Sequence, residues 1–586
     1  MSHQTRKLVI FLVVVELYFL LPLLVCGLAW YEAARAMRRN ELSKATLYTK
    51  LANPFFQLSN SSYSVSRPAL WLFQVSDYTD RVMRIAGYGN QTALTGTDAA
   101  ARLQGVLPLV MKREKTASDQ RTLNETMSHL RQTMPGITNN LQVLAIETQN
   151  PQLKELHRAT KLLSSIIMAS DSLGGNKKEG RFLLLFLNDK ELRPGGGFIG
   201  SYGIVKLAHY SVRDITIHDV YDADGQLAEH IDPPPPVRDY LQNPHWFLRD
   251  SNFSPDFKEN AVRAEWFLNK ELGPQEFDGV IGITTNTIQE IIGDYGEILL
   301  PDSGEIITKD NFYEKTQSAV HENFFPGSRQ KQNTLSSLSQ GLILEFDRVP
   351  KEELAQTISA MFQQKQIAAY MKNESIQTVL EEYGWAGRAQ QPAGDFIFPV
   401  EANVGVNKVN TNVTRSTEIE VRITGTDSIK HIVKTRFTNA YNGPAPSDNI
   451  YKNYHQLFVP PGSAVTSVLF EGRDIGYQVY QESGYTVPAA YVEIPPQSSR
   501  TLTVIYTTPY RMNEQENSTY SLLIQKQIGL GISPVRFSLT LPKGSSLLSK
   551  DFDAQIIGST IRHDMVLRSD TTLNVTFARP RPVQSY

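Results

Sequence analysis

The stretch RFLLLFLNDKELRPGGGFIGSYGIVKL, Arg181 to Leu207, decides how the middle of the chain is read. It couples an apolar run to glycines that fit the dinucleotide fingerprint G-x-G-x-x-G at Gly195, Gly197 and Gly200. That fingerprint works as strand, glycine turn and helix, because the helix N-terminus receives the pyrophosphate. Here a strand precedes the glycines, but SYGIVKL after Gly200 is β-branched and alternating, without a 3.6-residue period. The glycines therefore join strand to strand, which argues against a Rossmann site and leaves two narrower readings. In one, they form a tight loop that needs positive φ or close backbone approach. In the other, the N–H groups of Gly195, Gly196 and Gly197 cradle an anion beside Arg193. Glu191, two residues before Arg193, leaves a structural ion pair open as well.

Outward from this stretch, strand and helix signals alternate. Phe182–Leu187, Gly203–Leu207, Val212–His218 and Gly279–Ile283 read as strands. Asp256–Leu272 reads as a helix with Trp266 and Phe267 on its apolar side, and Thr285 as the cap of the helix NTIQEIIG. Further helices are expected around Asp310–Asn323, Asn333–Phe346 and Glu352–Met371. With the polar, glycine-rich SLGGNKKEG as its upstream boundary, this is an α/β core over 174–390. Beyond it the period becomes two, in TEIEVRI (Thr417–Ile423), TLTVIY (Thr501–Tyr506) and FSLTLP (Phe537–Pro542). Residues 391–586 are therefore expected to be all-β, as one or two sandwich modules. Residues 33–173 carry apolar residues at three- and four-residue spacing and read as a helical stalk or bundle, cut at breakers such as Pro54, Pro108 and Pro135. The whole is a multidomain α+β chain.

The N-terminus bears on the compartment. Leu8 to Tyr31 is apolar and long enough to cross a ~30 Å hydrocarbon core as a helix. The expectation is a signal-anchor over residues 1–32, single-pass, with the bulk of the chain extracytoplasmic. Glu16 in mid-span either faces a partner helix or is tolerated as a hydrated defect. With 58 basic and 60 acidic residues, no nucleic-acid-scale field is implied. One cysteine, Cys26, excludes a disulfide framework or a cysteine-based zinc site within one chain.

Several chemical motifs fail. DADG at Asp222–Gly225 would put Val220 and Ile231 at the first and last positions of a calcium loop, and neither is a ligand. There is no G-x-S-x-G, H-E-x-x-H or Walker A sequence. Two stretches concentrate polar groups. HWFLRDSNFSPDF holds Arg249, Asp250, Asn252 and Asp256, which either shape a site or cap the next helix through Ser254 or Asp256. FFPGSRQKQN holds Arg329 and Lys331 ahead of a helix. With Arg193 and Arg249 these cations could make a pocket for a diphosphate; separately they are a solvated face.

FLLLFLNDKELRPGGGFIGSYGIVKL, LRDSNFSPDF, FDGVIGITTNTIQEII and ANVGVNKVN resemble, in content and order, the bacterial and archaeal family catalogued as domain of unknown function four-zero-one-two. The α/β core also looks like the LytR–CpsA–Psr phosphotransferases, which transfer glycopolymers from polyprenyl diphosphate onto peptidoglycan outside the membrane. The residues themselves offer Arg249, Lys331 and the backbone of Gly195, Gly196 and Gly197 as further phosphate contacts, and that resemblance implies diphosphate contacts at Arg193 and Arg329. It implies metal or proton ligands among Glu191, Asp250 and Asp256, with Mg²⁺ as cofactor. The chain departs from that pattern: Asn188 or Glu191 stands near the expected metal-binding aspartate, and a glycine run replaces the second motif. The alternative expectation is a non-enzymatic surface or envelope scaffold in which the same groups are structural.

Overall fold

The computed structural model describes residues 3–39, 41–72, 74–112, 115–175, 178–321, 330–423, 428–509 and 517–578. The chain divides into two units, residues 1–180 with 206–213, and residues 181–205 with 214–586.

The first unit is helical: α1 His3–Arg38, α2 Leu42–Leu72, α3 Ser76–Met111, α4 Ala117–Thr148 and α5 Pro151–Ala169. The helices start where caps permit. Thr116 and Asp119 form a capping box at α4, and Asn150 caps α5 with Pro151 in its first turn. Pro54, Pro108 and Pro135 lie inside α2, α3 and α4, where sequence reading expected breaks. A proline removes one backbone hydrogen bond, and long helices packed side by side tolerate that loss. The described side chains of α1, Phe19–Arg38, form a segment long and apolar enough to cross a membrane, a test that a signal sequence also passes. α1 runs on through the boundary expected at residue 32. The side chain of Glu16 lies outside the described residues.

The second unit begins with a five-stranded sheet. Its strands are β1 Gly180–Asn188, β2 Phe198–Ala208, β3 Ser211–Asp219, β4 Gly279–Thr284 and, after a separate hairpin of β5 Glu297–Leu299 and β6 Ile306–Thr308, β7 Ile367–Met371. Their order is β3-β2-β1-β4-β7. β1 and β4 are parallel (Leu185↔Gly282), and β4 and β7 antiparallel (Ile281↔Ala369). His209 and Tyr210, both at positive φ, make the two-residue turn between β2 and β3. The helices of this region are α6 Val220–Asp224, α7 Pro235–Tyr240, α8 Phe257–Leu272, α9 Thr285–Tyr295, α10 Phe312–His321, α11 Gln330–Leu344, α12 Lys351–Gln363 and α13 Glu374–Glu382. α8 turns Phe257, Ala261, Ala264, Phe267 and Leu268 onto Leu183, Leu185, Val280 and Ala368 of the sheet.

Three local expectations are corrected. Trp266 is 40% exposed, because successive helical residues point about 100° apart and Phe267 takes the core side. Thr284, not Thr285, caps α9, its side chain accepting from Thr287 N. The expected helix to Met371 stops at Gln363, Lys365 takes φ +58°, and Ile367–Met371 joins the sheet.

The β region is a sandwich of an eight-stranded and a seven-stranded sheet. It starts with β8 Asp395–Asn403, β9 Val413–Ile423, β10 Ser428–Asn439 and β11 Tyr451–Phe458. β9 and β10 pair antiparallel at Ile419↔Val433. Alternate residues from both sheets, among them Ile419, Phe437, Tyr451, Tyr506, Tyr520 and Phe537, form one core. Asp395, fully buried within it, accepts from Tyr520 Oη at 2.6 Å and faces His431 Nε2 at 2.5 Å. The α/β sheet and the sandwich fall in the same unit, so residue 390 marks a change of secondary structure within one body.

Candidate functional site

The glycine stretch forms the loop from β1 to β2, as the strand-to-strand reading requires. Gly195 N donates to Asn252 O at 3.0 Å and Gly196 N to Arg193 O at 2.9 Å. Those two N–H groups are therefore taken by the protein. A Cβ on Gly195 would stand 2.2 Å from Asn260 Nδ2, and one on Gly196 2.7 Å from Ile528 Cγ2. The glycines are needed for close approach, the first of the two readings.

That approach joins the α/β sheet to the sandwich. Asn403 N, at the end of β8, donates to Leu192 O at 2.9 Å, and Leu192 N donates to Asn410 Oδ1 at 3.2 Å. Gln527 Nε2 donates to Arg193 O at 3.0 Å and to Glu401 O at 2.8 Å. Three of the stretches quoted above, around Gly195, Asn252 and Asn403, thus meet at one joint.

Arg193 lies at its centre, 1% exposed. Its Nη2 donates to Glu191 Oε1 at 2.8 Å and its Nη1 to Asn403 O at 2.6 Å, while Asp250 Oδ1 stands 3.9 Å from its Nε. The charge is neutralised locally. Asp250 continues outward to Arg249, whose Nη1 donates to Asp224 Oδ2 at 2.9 Å and whose guanidinium stacks 4.3 Å over Phe247. Asp256 is elsewhere. It caps α8, accepting from Lys258 N at 3.0 Å, and its other oxygen accepts from Arg388 Nε at 2.7 Å. The capping alternative for Asp256 holds, and each of the three acids faces an arginine.

So Glu191, Arg193, Arg249 and Asp250 come together, but as a buried ionic chain closed on itself. In this arrangement they pair with one another, as the structural ion-pair reading expects, because burying a guanidinium demands a carboxylate beside it. Arg329 lies outside the described residues, and so does the side chain of Lys331 in α11. Each of the three acids accepts from, or pairs with, an arginine. Among the described residues no three His, Cys, Asp or Glu side chains gather as metal ligands.

The chain of charges ends in a carboxylate pair that sequence reading missed. Burial pushes Asp224 up to about 6, with Asp250 adding to the rise and Arg249 opposing it, and pushes Glu271 up to about 8, with Asp224 adding to the rise. Asp224 Oδ1 and Glu271 Oε2 have no other hydrogen-bond partner among the described residues, so one shared proton satisfies both. A carboxyl raised in the fold is stabilising while protonated. This contribution is full below the ordinary carboxylate range and is lost as pH rises through the folded values, here from about 4 to about 8. We expect Glu271→Gln, which replaces the shared proton by a permanent donor, to flatten this decline. The variant should gain roughly 2–4 kcal/mol relative to the wild type between pH 5 and pH 9 in urea titrations. Parallel pH profiles would refute the shared proton.

A second missed feature is a cleft of about 930 Å³ in the same unit. Asp189 and Lys190 from the end of β1, Asn286 of α9, Met361 of α12, Arg415 of β9, Arg436 of β10, Lys526 and Arg568 are among its walls. Arg388 and Asp256 stand at a separate, apolar groove of about 620 Å³ walled by Trp246, Val262 and Trp266.

Residues 177–321 match the model of a family described as a protein of unknown function (DUF4012). No curated protein matches. Among solved structures, leukotriene A4 hydrolase of Saccharomyces cerevisiae is similar over 28% of this chain and 29% of its own, at 11% identity and a TM-score of 0.21. An M1 zinc metallopeptidase of Deinococcus radiodurans is similar over 28% and 42%, at 12% identity and a TM-score of 0.17. Likenesses of that size, over less than half of either relative, bring no activity to this chain.

Proposed function

We propose that the chain is a single-pass, membrane-anchored protein of the cell envelope whose body is extracytoplasmic and acts by binding, not by group transfer. The apolar α1 supports the anchor. The observation that carries the binding reading is the fate of Arg193 and Glu191, which pair with each other beneath the surface instead of facing a substrate. A phosphotransferase of the LytR–CpsA–Psr kind needs a cation on the leaving diphosphate and an acid for the metal at the same place. In this chain the residues in those positions build the joint between sheet and sandwich. Polyprenyl-diphosphate-linked glycan and peptidoglycan remain candidate ligands of such a binder, with no transfer between them.

The test is a transfer assay on the full chain in detergent micelles. Polyprenyl-diphosphate-linked glycan, peptidoglycan and Mg²⁺ are supplied, and attached glycan is counted. The expected result is no attachment above the protein-free blank. Attachment that is abolished by Glu191→Gln in a variant that still folds would overturn the binding reading.

A further inference from the structure

Arg415 is a deep arginine paired with one carboxylate, Glu401, at 2.8 Å. Its side chain is only 9% exposed, and its Nε, although beside Glu401, makes no hydrogen bond to a described residue. Glu401 Oε1 lies 2.8 Å from its Nε but outside hydrogen-bond geometry, and the other oxygen of Glu401 accepts from Tyr451 Oη at 2.5 Å. Arg193, at comparable depth, spends its donors on Glu191 and Asn403. A buried guanidinium with few acceptors is expensive, and Arg415 is among the residues lining the 930 Å³ cleft.

The rest of the cleft wall has the same sign. Lys526 is 1% exposed, with Nζ donating to Gln364 O at 2.8 Å and to Leu530 O, which leaves one N–H of the ammonium form. Arg436 and Arg568 line the mouth, exposed. Lys190 also lines it, against Asp189 Oδ2 at 3.1 Å. The wall's carboxylates each face a lysine, Asp189 through Oδ2 with Lys190 and Glu290 with Lys309 Nζ at 2.7 Å, while Asp189 Oδ1 is buried without a hydrogen-bond partner among the described residues. Polar side chains, Asn286, Thr411, Thr414 and Ser416, complete the wall.

We propose that this cleft is a binding site for a phosphate-bearing ligand, with Arg415 as its anchoring fork and Arg436 and Arg568 at its mouth. The geometry favours phosphate over carboxylate. A guanidinium fork takes two oxygens, and a third oxygen for Lys526 of the same wall needs a tetrahedral oxyanion. Burial holds Lys526 down to about 7, with Asp570 and Asp189 raising it and Lys365 and Arg415 lowering it. Binding is therefore strongest below pH 7 and weakens as Lys526 loses its proton above it. The inference rests on the binding reading but involves none of the residues that reading concerns.

The experiment is calorimetric titration of the full chain in detergent at pH 6.5, with three probes run separately: orthophosphate, inorganic pyrophosphate, and vesicles containing phosphatidylglycerol. Arg415→Gln is expected to weaken binding at least tenfold. Arg436→Gln with Arg568→Gln, two exposed changes that leave the core intact, should weaken it several-fold and reduce its salt dependence. Binding of the inorganic probes assigns the cleft to free or sugar-linked phosphate, and binding of the vesicles alone assigns it to a lipid headgroup. No binding of any probe by a chain with an unchanged melting curve overturns the site and leaves the transfer assay to judge the binding reading. Binding that persists unchanged in both variants overturns it as well.

Discussion

Replacing Arg193 by methionine is expected to lower the stability of the 181–586 body by roughly 3–5 kcal/mol, the cost of leaving buried charges unpaired. The substitution keeps most of the volume and removes only the charge and the donors. Glu191, 6% exposed, and Asp250, 4% exposed, would then face each other without a cation, and Asn403 O would lose the 2.6 Å bond from Nη1. Arg249→Met is the comparison. Its side chain is 21% exposed and its partner Asp224 can take a proton, so the loss should be smaller, about 1–2 kcal/mol. Urea denaturation followed by tryptophan fluorescence reads both, because Trp246 packs on Phe267 within this body. If Arg193→Met unfolds like the wild type but fails to bind pyrophosphate, the arginine is a phosphate contact after all and the joint is misread.

The contrast between Arg193 and Arg415 marks what the sequence could tell. RPGGG advertises an arginine beside glycines, and that pattern suits an anion cradle and a packed joint equally. The choice depends on Asn403 and Gln527, which lie more than two hundred residues downstream, with nothing local to tie them to Arg193. Arg415 sits in an alternating strand, NVTRSTEIEV, where an arginine reads as an outward solvated position. It faces inward because β9 turns Val413, Arg415, Thr417 and Ile419 to one side, where Glu401 meets Arg415 at 2.8 Å. Asp224 and Glu271 are likewise 47 positions apart, counted from their numbers, so no local pattern pairs them.

Other features were legible because they are local. The β-branched SYGIVKL excluded a helix after Gly200, and β2 runs there. Period two announced the sandwich, and Asp256 could be read as a cap. The end of α12 was not legible, since MFQQKQIAAYM holds no glycine or proline and Lys365 itself supplies the positive φ. The stalk prolines misled for the opposite reason. They are strong breakers alone, but packing against neighbouring helices outweighs one lost hydrogen bond.

The glycine loop itself separates joint from cradle, through Gly197→Ala. Gly197 has φ +151°, and a Cβ there would lie 2.5 Å from the carbonyl carbon and oxygen of Asn188 and 2.8 Å from Asp189 N. These are backbone atoms at the end of β1, which is fixed in the sheet between β2 and β4. Neither neighbour can swing aside as a side chain would, so the loop must leave its seat. The expected result is a loss of several kcal/mol, on the order of 3 or more, by overpacking at a fixed site. Gly273→Ala calibrates the backbone contribution alone. Gly273 has φ +86° but nothing within 4 Å of a built Cβ, so its loss should stay near 1 kcal/mol. An anion cradle makes the opposite prediction, because alanine keeps the N–H groups while crowding the ligand: phosphate affinity would fall and stability would change little. In the joint, stability falls first, and any variant molecules that remain folded bind pyrophosphate in the cleft as the wild type does, since none of Gly195, Gly196 and Gly197 is among the residues lining it.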